Sequence, residues 1–175
     1  NWPYDWSAFV TYEPITDANF QDAANLWFSD ESNATATYGH IRDWNTSAVT
    51  NMSEAFKGRT EFNEDISNWD VSAVTNMNSM FKAARKFNQP IGDWDVSKVM
   101  WMGSLFENAI SFDQPIGDWN TSSVTSMANI FRNAEVFNQP IGKWDISSLR
   151  ASYSFSGMFK GALSFNQPLG EWDTS

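Results

Sequence analysis

The chain has 175 residues, a formal charge of −10 and no cysteine, with ten Trp and fourteen Phe carrying much of its large apolar surface. The acidic balance works against a general nucleic-acid binder and against docking on anionic lipid, both of which need a basic footprint. Lack of Cys excludes a disulfide frame, a thiolate zinc site and a cysteine nucleophile, and no apolar run approaches the roughly 18 residues of a membrane span.

Residues 1–15 are aromatic and irregular, broken by Pro3 and Pro14. The start lacks both an initiator Met and the basic-then-apolar pattern of a leader, and the chain stops midway through a repeat at Trp172-Asp173-Thr174-Ser175. It is therefore expected to be a piece of something longer. Thr16 or Asp17 is a good N-cap for a helix over about 17–28, in which Phe20, Ala23, Ala24 and Trp27 share one face. Residues 29–37 are polar and predict a loop into Tyr38. Together, residues 1–40 are expected to form an N-terminal cap.

From Ile41 onward the chain repeats. Trp recurs at Trp44, Trp69, Trp94, Trp119, Trp144 and Trp172, in four steps of 25 residues and a last one of 28. One Phe rank is Phe62, Phe87, Phe112, Phe137 and Phe165; a second is Phe56, Phe81, Phe106, Phe131 and Phe159. A fixed period of this size predicts units that touch only their neighbours. They divide as 41–61, 62–86, 87–111, 112–136, 137–164 and a partial 165–175. Within a unit, Trp69-Asp70-Val71 alternates as a short half-buried strand does, and Met77, Met80, Phe81 and Ala84 fall on one face of a short helix. Gln89-Pro90 and Ile91-Gly92 are turn material. The predicted fold is an α/β repeat solenoid in which each unit is a short parallel strand plus a short helix, behind an N-terminal helical cap.

The pattern Ile91-x-x-Trp94-x-Val96 is similar to the L-x-x-L-x-L strand of leucine-rich repeats, with bulkier residues. The fuller unit, from Trp69-Asp70-Val71-Ser72 through Met77, Met80, Phe81 and Ala84 to Phe87-Asn88-Gln89, resembles the BspA-like leucine-rich repeat surface proteins over residues 41–175. That resemblance implies a parallel-stranded solenoid at the cell surface or outside the cell, engaged in adhesion and interaction. It carries over no catalytic residue.

Two readings of the Trp rank stand side by side: an exposed platform for sugar rings, or core filler stacked ring on ring. The buried stack is the expected one. Residues flanking each Trp alternate to the other face, so Asp70, Asp93, Asp95, Asp118 and Asp145 predict an acidic ladder with rungs about 4.8 Å apart. Such a ladder is either a solvated face or a site for a basic partner or a hard cation. The Asn63, Asn88, Asp113, Asn138 and Asn166 rank is expected to satisfy backbone groups at the turns.

Met100-Trp101 stands where other units carry Thr-Asn or Thr-Ser, making Trp101 a candidate interface anchor. Tyr153 lies in the insert that lengthens the last full unit. Asn33, Asn45, Asn51 and Asn120 begin glycosylation sequons. His40 is the only His, so a triad or His-rich metal site is not assembled, and neither an enzyme nor a cofactor is expected. The expectation is a non-enzymatic surface scaffold binding a protein or glycan. The alternative is a structural subunit that assembles with further copies of itself into filaments or layers.

Overall fold

The computed structural model describes residues 11–149 and 153–172. Helix α1 spans Phe20–Ser29 and buries Phe20, Ala23, Ala24 and Trp27. It begins after Asn19, because Asp17 is occupied elsewhere: its carboxylate accepts the N–H of Thr50 at 2.8 Å, the Thr50 hydroxyl at 2.6 Å and the N–H of Asn51 at 3.1 Å. This aspartate fastens the cap to the first repeat unit. Residues expected as a polar loop instead form helix α2, Glu31–Tyr38. Asp30 accepts the N–H of Asn33 at its start, and Ala34 is buried. A single capping side chain and one small apolar residue thus decide against the loop.

The cap closes the end of the aromatic core. Phe28 meets Phe56 and Phe62 edge-on at 6.0 and 5.7 Å, and Phe20 meets Trp69 at 5.8 Å. Arg59 lies over the Phe28 ring, 4.4 Å from its centroid, and donates to Asn25.

Beyond a single 3₁₀ turn at Ile41–Asp43, the described residues contain no further helix and no β-strand. This overturns the predicted α/β leucine-rich-repeat-like solenoid with its parallel strands. Cross-unit backbone pairing of the strand type is limited to single parallel bridges, Asn51 to Asn76, Asn76 to Trp101 and Trp101 to Ser126. These precede the Met and do not involve the Trp-Asp-Val segment, which was the predicted strand. The predicted helix is a run of tight turns, and its hydrogen bonds explain why. The N–H groups of Met77, Ser79, Phe81 and Ala83 donate to the carbonyls of Trp101, Gly103, Leu105 and Glu107 in the next unit, at 2.7–3.0 Å. Between them, Met80, Lys82 and Ala84 donate three residues back along their own chain. Half the donors leave the segment, so an i→i−4 ladder cannot close. Ser79 and Ala83 sit at φ +57° and +58°, which bends the chain out of a helix at every fourth residue.

The same four donors recur at Met52–Gly58, Met102–Asn108 and Met127–Asn133. Units therefore lie directly on one another, each shifted by one repeat. On the Pro-Gly side the union is made by side chains. Asn63, Asn88, Asp113 and Asn138 each accept the N–H of the corresponding residue one unit on, at 2.8–2.9 Å. Gln89, Gln114, Gln139 and Gln167 donate back to the same residues' carbonyls. Gly117 is required here: a Cβ would stand 2.2 Å from the carbonyl oxygen of Pro140.

Inside, both Phe ranks stack parallel along the units, with neighbours 5.6–6.1 Å apart. At each unit boundary one ring of each rank lies face to face, as Phe81 on Phe87 at 3.9 Å. Trp44, Trp69, Trp94, Trp119 and Trp144 are all buried, at no more than 5% exposed. Their indoles are not left unsatisfied, since each N–H donates to a backbone carbonyl of the preceding turn. Trp172 makes the same bond to Ile141 from a half-buried position.

Candidate ligand-binding strip

With the Trp rank turned inward, it is not a surface for sugars. One of the two columns flanking it is spent on local structure. Asp70, Asp95 and Asp145 each accept the N–H of the Ser two residues on, at 2.9–3.0 Å, and Asn45 and Asn120 do the same in their own units. These are Asx turns. The Ser hydroxyl, then the Ser N–H, holds each of the three carboxyls below the usual aspartate range. Asn120 interrupts the column between Asp95 and Asp145. In the other column Asp93 and Asp118 are exposed, and the Lys143 ammonium lies 3.0 Å from Asp118. Asp118 and Lys143 line a shallow cleft of about 460 Å³ with Pro115 and Pro140. Among the described residues, no three His, Asp or Glu side chains gather where one metal ion would sit. Of the predicted ladder, Asp70, Asp95 and Asp145 close separate turns, while Asp93 and Asp118 stand exposed.

The sequons find a structural cause in the same geometry. In Asn45-Thr46-Ser47 and Asn120-Thr121-Ser122 the sequon's own Ser hydroxyl donates to the Asn at 2.7 Å. The intervening Thr46 and Thr121 are buried and donate to Asp70 and Asp145 carbonyls in the next unit. Asn51 accepts the Ser53 N–H at 3.0 Å, and Asn33 is exposed on α2.

A surface whose residue types the fold does not account for lies along the parallel bridges. Two adjoining columns cross the units there. In one, Thr75 and Thr125 flank Met100; in the other, Asn76 and Ser126 flank Trp101 directly, as the bridges require. Trp101 is 40% exposed, whereas every other Trp of the preceding and following units is buried. Met100 is half-buried beside it, its carbonyl accepting from the N–H and hydroxyl of Thr125. Tyr153 continues the Met100 column two units from Met100 and is 74% exposed. Arg150, Ala151 and Ser152 of the insert, Asp173 of the acidic column and the first ten residues of the cap lie outside the described residues.

The site brings Met100, Trp101 and Tyr153 to one side and leaves Asp70, Asp95 and Asp145 in their turns. What the sequence reading passed over is the role of Asn51 and Asn76. Their signal was present: an Asn followed two residues later by Ser53 or Asn78, the spacing of an Asx turn.

The molecule is a stack of turn-built repeat units closed at one end by two helices, with an uncharged aromatic strip on its surface. It belongs to the family described as "Mycoplasma protein of unknown function, DUF285", whose model matches residues 24–124 and again 91–175. None of the curated proteins and none of the solved structures matches the chain.

Proposed function

We propose that this protein is a non-enzymatic scaffold at the cell surface or outside the cell that binds a ligand through the strip around Trp101. The observation that carries the reading is Trp101 itself, an exposed indole in a chain that buries and hydrogen-bonds the Trp of every neighbouring unit. A ring exposed at one unit alone has no part in holding units together, and exposed Trp is a frequent anchor in binding surfaces. The resemblance of the unit to BspA-like surface proteins supports an adhesive role. Labelled protein added to cultured cells tests it. Saturable binding, displaced by unlabelled protein and weakened by Trp101→Ala, supports the scaffold; absence of saturable binding removes it.

One observation favours a structural subunit. Ile146, Leu149, Phe155, Met158, Phe159 and Trp172 line an apolar cleft of about 400 Å³, and Leu163 nearby in sequence is 80% exposed. A further unit from another copy would cover such a surface. Light scattering over a concentration series decides: growth of the scattering mass supports assembly, and a constant monomer mass excludes it.

A further inference from the structure

We infer that the strip around Trp101 is a subsite for a neutral oligosaccharide, with Trp101 as the stacking platform. The inference rests on the scaffold reading above and names the ligand class. Three features of the strip converge on it.

The first is the ring. A sugar presents a flat face of C–H groups that packs on an exposed indole, and Trp101 offers one at 40% exposure. Second come the amides. Asn76 accepts the N–H of Asn78 and Asn51 that of Ser53, both at 3.0 Å through Oδ1. These bonds fix the amides and leave each NH₂ without an acceptor among the described residues. Two oriented donors thus follow Trp101 on successive rungs about 4.8 Å apart, the arrangement that pairs with ring hydroxyls. Charge is the third feature. The chain carries 11 basic and 21 acidic residues, yet both columns from Thr50 to Ser154 hold none. The Asp17 carboxylate closes the Thr50–Asn51 end of the strip as an acceptor. A neutral polyol over Asn76 and Trp101 desolvates no ion of the columns, while an anionic glycan finds no cation in them to pair with. A protein partner would meet an anchor ringed by amides and hydroxyls, poor in the apolar surround that makes an interface hot spot. Tyr153 adds a second ring roughly 10 Å along the strip, on the order of a disaccharide.

The test uses the intact chain. Its Trp fluorescence and binding heat are titrated with neutral hexasaccharides of β-linked glucose, β-linked N-acetylglucosamine, mannose and galactose, and with heparin as the charged probe. The expected result is saturable binding of at least one neutral probe, and none of heparin. Trp101→Ala should weaken it by about tenfold or more. Asn76→Asp keeps the turn acceptor and removes the donor, so it should weaken binding while leaving the melting temperature in place. Lys143→Ala should leave binding unchanged. Failure of all four neutral probes at millimolar concentration overturns the inference, as does binding indifferent to both Trp101→Ala and Asn76→Asp. Cell binding that persists in excess neutral oligosaccharide overturns the sugar and keeps the scaffold. Absence of both sugar binding and saturable cell binding by the intact chain overturns the two together.

Discussion

The indole N–H of Trp119 donates to the carbonyl oxygen of Ile91, 3.1 Å away in the preceding unit. Both partners are buried, so the bond joins two units through the middle of the core. Trp119→Ala should cost roughly 3–5 kcal/mol from lost burial and the cavity left behind. Trp119→Phe keeps an aromatic ring and removes one of two donors to the Ile91 carbonyl, which retains the Trp94 N–H at 3.3 Å, for a loss of about 0.5–1.5 kcal/mol. Urea denaturation followed by circular dichroism measures both. A Trp119→Phe variant as stable as the parent would show that the hydrogen bond adds nothing.

Gly117→Ala tests the approach of units on the Pro-Gly side. With backbone oxygen of Pro140 at 2.2 Å from the new methyl, no flexible side chain is available to yield. The expected loss is about 1–3 kcal/mol. Gly58→Ala, where nothing lies within 4 Å, meets no such crowding and suffers only from its positive φ of 73°. A Gly117→Ala variant as stable as the parent would refute the close contact.

Ala83 holds φ +58° at the place where other units have Gly58, Asn108, Asn133 and Gly161. Ala83→Gly should therefore leave stability unchanged or raise it by up to about 1 kcal/mol, the reverse of the usual cost of a Gly. A clear destabilisation would mean that the strain is absent.

Acid should weaken the molecule in a defined direction. Asp70, Asp95 and Asp145 are held low by their Ser partners; at Asp17, partial burial is outweighed by the bonds from Thr50 and Asn51. A depressed carboxyl contributes stability that is present above its unfolded pKa and lost as pH falls through the folded one. Melting temperature should hold across neutral pH and drop once pH passes below the ordinary aspartate range. Asp70→Asn, which copies what Asn45 and Asn120 already do, should be close to neutral at pH 7 and remove part of the acid dependence. Unchanged melting down to strongly acid pH would contradict the turn geometry.

The period, the inward Trp and Phe ranks and the bonding of the Asn rank follow from residue types alone, because each position recurs under the same demand for burial or pairing. The backbone was not legible in the same way. Met77, Met80, Phe81 and Ala84 reach one core equally well from a helix or from successive turns, and apolar spacing says nothing of where an N–H points. What distinguishes the two is the neighbouring position, where Gly58, Asn108, Asn133 and Gly161 gather the residue types that tolerate positive φ. Trp69-Asp70-Val71 misleads for a related reason: its alternation is real, but the Asp is closing a turn on Ser72. Trp101 stood out as an irregularity, whereas Asn76 beside it looked like every other polar residue until its amide was placed.

The Asn and Gln couplings on the Pro-Gly side have a genetic corollary. Donor and acceptor are alike at every boundary, and the 28-residue unit is joined by the same contact as the 25-residue ones, Asn166 to Asn138 at 2.9 Å. Excising or duplicating one whole period in the coding sequence would bring together two surfaces that already fit. Gain or loss of whole periods would then change the length of the protein in whole rungs while preserving a foldable chain.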